Sequence, residues 1–414
     1  MSTEQTWSGT HIFTAPSLVE ARTIDEVQQV VAQGGRVRAL GTRHSFNDIA
    51  DTTGTMVTVT GIEPDFALDE TARTVTVGAG TRYGVLAAWL DEHGWALHNT
   101  GSLPHISIAG ANATGTHGSG IGNGVLATAI RAIDYVGADG ERHVVRRGEP
   151  DFAGMAVGLG AYGIAVRITL AIEPTYQVRQ DVYRGVPWSA LLDDLDAVLG
   201  AAYSVSVFTT WAEESLQQVW LKSRMDQATP PERLFGAPSV AASAIIEGAT
   251  EDSQTPIGGV PGPWSQRLPH FRLDSVPSAG DEIQSEYFVS RSDGAAAIRA
   301  VREHADEIVP VLLITELRTA AADELWLSPA SERDVLAIHF TWKNDADAVR
   351  GVLPAVESAL APFTPRPHWG KVNLMDADAH ARAYPRIPDA KALFSRLDPD
   401  GVFSNAYLER VGLR

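Results

Sequence analysis

Short runs in which apolar and polar residues alternate at every second position dominate the first 175 residues. Met56-Val57-Thr58-Val59-Thr60 and Thr74-Val75-Thr76-Val77 follow this period and predict half-buried strands. Ala129 to Val136 and Arg142 to Val145 flank Asp139-Gly140, which predicts a hairpin. Helical spacing interrupts the strands twice. Thr23-Ile24-Asp25-Glu26 has capping-box spacing, Val27, Val30 and Val31 then share one helical face, and Gly34-Gly35 ends it. Val37 to Leu40 predicts a short strand that runs into the loop Gly41-Thr42-Arg43-His44-Ser45-Phe46-Asn47. A second helix is predicted from Tyr83 to His93, closed by Gly94.

Near Glu173-Pro174 the texture changes. Strands are predicted at Val205 to Trp211, Val219 to Lys222, Val311 to Arg318 and Val335 to Trp342. Between about 228 and 280 lies a Pro/Gly/Ser-rich stretch with Pro256, Gly258, Gly259, Pro261, Gly262 and Pro263, which reads as a long surface excursion, with room for partial order against the second domain. A proline-rich link, Pro362 to Pro367, precedes the C-terminal tail. A chain of 414 residues exceeds one ordinary core. The expected organisation is α+β, with one domain over 1–175, a second over 176–365 and a C-terminal segment over 366–414.

Composition narrows the function classes. With 44% hydrophobic and 20% charged residues the chain reads as globular. Its longest apolar runs, such as Val309-Pro310-Val311-Leu312-Leu313-Ile314, fall far short of the ~20 residues of a membrane span. The start, Met1 to Trp7, carries no basic cluster or apolar core of a secretory signal, so a cytoplasmic location is expected. A net charge of −18 favours solubility and would repel a phosphate backbone, which argues against nucleic acid as a partner. A monomer is expected. The absence of cysteine removes disulfides, thiolate nucleophiles, zinc–cysteine sites and iron–sulfur clusters together. Any covalent cofactor bond must use another side chain, and no metal site is expected.

The least ordinary segment is Thr100 to Gly120, rich in glycine and hydroxyls and free of acidic residues. Glycines let a backbone approach a ligand, and free N–H groups with hydroxyls can hold a pyrophosphate without lysine. Gly122-Asn123-Gly124-Val125-Leu126-Ala127 formally fits a dinucleotide fingerprint, but a loop precedes it instead of a strand, which argues against a Rossmann reading. Two late strands each present a polar pair on one face, Glu316 with Arg318 and His339 with Thr341. Either pair alone suits a solvated sheet face; together they suit a polar floor under a hydrogen-bonding ligand. Lys371, after Trp369-Gly370, reads as exposed unless it meets an arginine in a partly buried pocket, where its pKa would fall and it could act as a base. His44 alone reads as a loop histidine.

Taken in order, Gly41-Thr42-Arg43-His44-Ser45-Phe46-Asn47, Gly101-Ser102-Leu103-Pro104-His105, Ala113-Thr114-Gly115-Thr116-His117-Gly118, Glu316-x-Arg318, His339-x-Thr341 and His368-Trp369-Gly370-Lys371 resemble the vanillyl-alcohol-oxidase class of flavoproteins. Within that class they resemble the bacterial alditol (xylitol/sorbitol) oxidases, over essentially the whole chain. The resemblance implies a two-subdomain FAD-binding domain, a substrate domain with an antiparallel sheet, and a C-terminal segment returning to the FAD domain. It places a covalent FAD bond on His44 and FAD contacts at Gly41, Thr42, Arg43, Ser45, Ser102, Ser107, Gly110, Thr114, Gly115, Thr116 and His117, with Ile164 near the adenine. It places Ser102, Glu316, Arg318, His339, Thr341 and Lys371 in the substrate pocket, with Lys371 or His339 as the base. The implied partners are a small-molecule polyol (xylitol, sorbitol or glycerol) and O2, with hydrogen peroxide as product. Gly101 falls where the class has a small residue beside the flavin, which implies oxygen access. An aldonolactone oxidase of the same class is the alternative.

Overall fold

A computed structural model of the chain describes residues 4–245, 253–275 and 281–414. Three sheets position everything that follows. In the first, Thr55–Thr58 lies parallel between Ser17–Glu20 and Val37–Leu40. The helix Ile24–Ala32 starts as its spacing predicts: Thr23 Oγ1 accepts the Glu26 N–H at 3.2 Å, and Val27, Val30 and Val31 are buried. The Glu26 carboxylate reaches back to the Arg22 N–H at 2.7 Å, one residue earlier than a capping box would take it.

The second sheet is antiparallel, in the order Ala67–Asp69, Thr74–Gly78, Ile164–Ala171, Ile130–Val136, Arg142–Arg146. Its last two strands form the hairpin expected around Asp139-Gly140, with Gly140 in the left-handed region at φ 77°. The helix Tyr83–Glu92 ends at Gly94, also left-handed.

The third sheet has ten strands, and four of them form the floor of the site: Ser204–Thr209, Leu312–Ala320, Val335–Lys343 and Glu282–Ser290, in that order and antiparallel. Alternation divides their side chains. Val205, Val207, Leu317, Ile338, Phe340 and Tyr287 join a core with the helices Gly294–Arg302 and Ala346–Leu360. The alternate positions are left for polar groups on the opposite face. The Ile314 and Arg318 strand runs two residues beyond its expected end at Arg318, to Ala320.

A second core joins the two N-terminal sheets to the C-terminal segment, through Trp369, Tyr384, Phe394, Phe403 and Tyr407. Arg38, almost wholly buried, ties them together by donating to the carbonyls of Leu159, Gly160 and Phe403 at 2.9–3.0 Å. The chain is α+β, with antiparallel sheets dominant.

Two expectations are corrected. The Thr100–Gly120 segment is not all loop: the alanine-rich stretch Ile108–Ala113 forms a short helix. The stretch 228–280 is not simply a surface excursion. Trp264 and Leu268 are buried in the second core, and the Lys222 ammonium, itself buried, donates to the carbonyls of Arg267, Leu268 and Pro269. Residues 246–252 and 276–280 of that stretch lie outside the described residues. No described helix is long and apolar enough to cross a membrane.

Candidate active site

Register across the floor sheet brings three ionisable residues into one row. Glu316 pairs with His339, and His339 pairs with Glu286 on the next strand. One row along, Ile314 pairs with Thr341 and Thr341 with Gln284. Arg318 follows Glu316 on the same face, so one patch of sheet carries two carboxylates, a guanidinium and an imidazole.

Glu286 is the hub of this patch, and its side chain has no exposure. Oε1 lies 3.1 Å from Arg318 Nη2 and 3.1 Å from His117 Nε2, while Oε2 lies 2.7 Å from Lys371 Nζ. Burial opposes its charge, yet Lys371 and His117 hold its carboxyl well below the usual range. Glu316 behaves alike: burial is outweighed by Arg318 and His270, and its carboxyl is also held low. Arg318 completes the link by donating from Nη1 to Ser102 Oγ at 3.0 Å.

Lys371 meets the condition that would make it a base. It is partly buried near Arg318, and burial pushes its ammonium down while Glu286 opposes the shift. Its Nζ also stands 2.8 Å from His339 Nδ1, whose Nε2 is 3.1 Å from Thr341 Oγ1. Burial, and then Lys371, bring the His339 imidazolium down to about 4, so the ring is neutral near pH 7. The loop His368-Trp369-Gly370-Lys371 owes its place to the Glu282–Ser290 strand: the N–H groups of His368 and Val372 donate to Glu286 and Gln284 carbonyls at 2.9 Å.

The same loop is fastened to the His44 loop. The Phe46 N–H donates to the Gly370 carbonyl at 2.7 Å, and Asn47 Nδ2 donates to the carbonyls of Trp369 and Lys371 at 2.9 and 3.1 Å. His44 stacks on Trp7 with centroids 5.3 Å apart, and its Nδ1 lies 3.0 Å from Thr42 Oγ1. Burial, then His105 and Arg82, bring its imidazolium down to about 4, which leaves a neutral, nucleophilic ring. Arg43 is left-handed at φ 64° and pairs with Glu4 at 2.9 Å, while its carbonyl accepts the Trp7 N–H. Among the described residues the N–H groups of Thr42, Arg43, His44 and Ser45 have no hydrogen-bond partner in the chain. Successive free N–H groups around a left-handed residue form a concave site for an anion. A Cβ at Gly41 would fall 2.7 Å from Ser107 Oγ, so this loop passes close to the start of the helix Ile108–Ala113.

One continuous cavity connects these parts. Gly41, Thr42, Arg43, His44, Ser45, Ser107, Gly110, Thr114 and Thr116 line one reach of it. Ser102, His117, Glu316, Arg318, His339, Thr341 and Lys371 line the other. Two expected contacts lie off the wall. Gly115 does not line the cavity, and Ile164 turns into the core by strand alternation while its neighbours Gly163 and Ala165 line it. His117, expected beside the cofactor, lies on the floor-sheet side, its ring nitrogen on Glu286.

Glu286, Gln284 and His270 line the cavity without having been singled out in the sequence. His270 comes from the supposed excursion: its Nε2 is 2.7 Å from Glu316 Oε1, and its N–H donates to the Ser102 carbonyl at 3.0 Å. Gln284 and Glu286 show the i, i+2 polar pairing that marks the other two strands. The adjoining Asp281-Glu282 disguises it as a solvated edge.

Comparison with known proteins agrees with this layout. Residues 15–146 match the family described as FAD binding domain, and residues 281–411 match the family described as D-arabinono-1,4-lactone oxidase. The chain is 44% identical over 412 residues to an alditol oxidase of Streptomyces sp. (strain IKD472 / FERM P-14339), covering 99% of both chains. It is 29% identical over 424 residues to the L-gulono-1,4-lactone dehydrogenase of Mycobacterium tuberculosis, covering 98% of each. Its fold is that of cholesterol oxidase from B. sterolicum, with a TM-score of 0.79 over 99% of this chain and 96% of that one at 14% identity.

Proposed function

Because this chain belongs to the alditol oxidase family of FAD-binding oxidases, we propose that it oxidises the terminal hydroxyl of a short alditol, such as xylitol, sorbitol or glycerol, to the aldose, with O2 reduced to hydrogen peroxide. The observation that carries the reading is the row Glu316, His339 and Glu286 with Lys371 upon it, on the wall of the cavity that also holds His44. A dense set of donors and acceptors suits a substrate that presents a hydroxyl on every carbon.

FAD suits the other reach of the cavity. The free N–H groups of Thr42 to Ser45 would take its diphosphate, and Ser107, Gly110, Thr114 and Thr116 would line its path. We assign a covalent attachment to His44, supported by its neutral ring, its place on the cavity wall and the lack of any cysteine. FAD when bound supplies the hydride acceptor. This divides the chain into a flavin-holding part, 1–175 with 366–414, and a substrate-holding part, 176–365, although Trp264, Phe288 and Leu327 of the latter pack into the core of the former.

The chain's own residues divide the remaining work. Lys371 takes the proton of the reacting hydroxyl, and Arg318 with Lys371 stabilises the alkoxide as charge develops, a preorganised term of the oxyanion-hole kind. Neutral His339 fixes the lysine by accepting from it and is itself fixed by Thr341. Glu316, Thr341 and Ser102 hold the other hydroxyls and set which end of the chain reacts. A missing hydroxyl would leave a buried partner unpaired at a cost of about 1–3 kcal/mol. At Gly101 a Cβ would meet Ile106 and Thr116 at 3.5 Å, so the glycine leaves room the size of a methyl beside Ser102 for oxygen to use.

A lactone substrate is the second reading, favoured by the match of residues 281–411. Anaerobic mixing with xylitol, sorbitol, glycerol and an aldono-1,4-lactone separates the two. Bleaching of the flavin by the alditols is expected, and bleaching by the lactone alone would overturn the proposal.

A further inference from the structure

We infer that His117 is held as an imidazolium on Glu286 and thereby keeps Lys371 in its amine form. The inference rests on the reading of Lys371 as the base. It assigns His117 a positioning role that acts through Glu286 and the lysine.

Hydrogen-bond geometry supplies the argument. His117 Nδ1 lies 2.7 Å from the Gly118 carbonyl oxygen, which has no hydrogen to give, so Nδ1 carries one. Nε2 lies 3.1 Å from Glu286 Oε1, an oxygen that already accepts from Arg318 Nη2. Two bare lone-pair atoms repel at that separation, so a second proton lies between ring and carboxylate. The other histidines of the patch differ. His368 Nδ1 accepts the Gly370 N–H at 3.1 Å, so that nitrogen is bare. His339 Nδ1 faces the Lys371 donor, and its Nε2 faces a hydroxyl. His270 Nδ1 has no partner among the described residues. Of these four rings only His117 has an acceptor without hydrogens at each nitrogen.

Charge balance sets the consequence. The groups facing the pair are Arg318, Lys371, His339 and His368, with Phe288 packed edge-on to the ring at 5.0 Å. Arg318 and His117 as cations already offset Glu286 and Glu316, and the buried Lys222 ammonium also acts on Glu316. An ammonium on Lys371 would add a further positive charge to this largely buried cluster, which is costly. The lysine therefore rests as an amine. When the alcohol reacts, its O–H bond breaks and an N–H bond forms on Lys371. Burial, and then Arg318, push the imidazolium below its ordinary value and Glu286 opposes them; the acceptor at each ring nitrogen holds it charged against that push.

The test has two arms. In protein labelled with 15N-histidine, one ring is expected to carry hydrogens on both nitrogens at pH 8, and that signal should vanish in H117Q and collapse to a neutral ring in E286Q. This arm needs no substrate. A singly protonated His117 at pH 8 overturns the inference, whatever the enzyme oxidises.

The second arm is the pH dependence of anaerobic flavin reduction by xylitol. H117Q leaves Glu286 to stabilise the ammonium, so the alkaline rise should move up by about one pH unit or more. E286Q removes that carboxylate, so the rise should move down. The double variant should return towards the parent. Loss of packing alone would not shift the single variants in opposite directions, and movement the same way overturns the inference. If no alditol reduces the flavin while the doubly protonated ring is seen, the substrate reading falls and the His117 assignment stands.

Discussion

His270 Nε2 lies 2.7 Å from Glu316 Oε1, although 46 positions of chain separate the two. Lys222 holds the turn that delivers His270 by donating to three successive carbonyls, at Arg267, Leu268 and Pro269. The proline- and glycine-rich stretch thus closes one wall of the cavity. Removing the ring by His270→Ala takes a hydrogen-bond partner from a buried carboxylate, a loss of about 1–3 kcal/mol. Half-saturation of flavin reduction by xylitol should move up roughly tenfold or more, while His270→Gln, which keeps a donor, should recover part of it. Unchanged saturation in the alanine variant would place His270 outside substrate binding.

Lys371 donates to Glu286 and His339 and lines the cavity. General-base catalysis contributes about 10²–10⁴-fold, so Lys371→Ala should slow anaerobic flavin reduction by that order. Reoxidation of the reduced enzyme by oxygen should stay within a few-fold of the parent. Stopped-flow absorbance separates the two steps. Equal slowing of both would remove the lysine from the proton transfer.

Local rules made much of this molecule legible. Period-two alternation located the strands of Glu316 and His339 and put each polar pair on one face, because a strand's side chains alternate whatever surrounds it. Cross-strand register is non-local, so nothing in either run reveals that Glu316 stands opposite His339. Glu286 was hidden for the same reason: its meaning comes from Lys371, 85 positions away, and His117, 169 positions away. Burial of Lys371 could not be read from Trp369-Gly370, since it depends on the Glu286 and Gln284 carbonyls that seat the loop. The motifs taken in order pointed to loops that line one cavity. Their order could not tell that the Ile164 side chain faces inward or that the His117 ring meets Glu286.

Neutral His44, stacked on Trp7 and seated on the cavity wall, is the side chain proposed to hold the flavin. Acid precipitation of the parent should leave the yellow colour in the washed pellet, and His44→Ala should release it to the supernatant. The visible spectrum of the denatured, washed protein is the measurement. Colour lost from the parent pellet would exclude a covalent bond.

Buried neutral imidazoles also make stability depend on pH. Burial is the largest cause that brings the imidazolium of His270 and of His339 down to about 4, against an ordinary value near 6.5. Between those values the unfolded chain binds protons that the folded chain refuses, so unfolding becomes easier as pH falls. The stabilisation is fully present above about pH 6.5 and is lost as pH drops through 4. Each ring contributes up to about 1.4 kcal/mol per pH unit within the window, or roughly 3 kcal/mol per unit for the pair. The carboxylates Glu286 and Glu316 are held low, so their stabilisation disappears only in more acid solution and does not mask the effect. Denaturant unfolding at pH 8, 6.5 and 5 should show little change over the first interval and a marked fall over the second. His270→Gln, with no ring to titrate, should roughly halve the part of the fall that these two rings cause. A midpoint that stayed level from pH 6.5 to 5 would mean the two rings protonate freely in the folded protein, and the neutral His339 on which the seating of Lys371 depends would then be wrong.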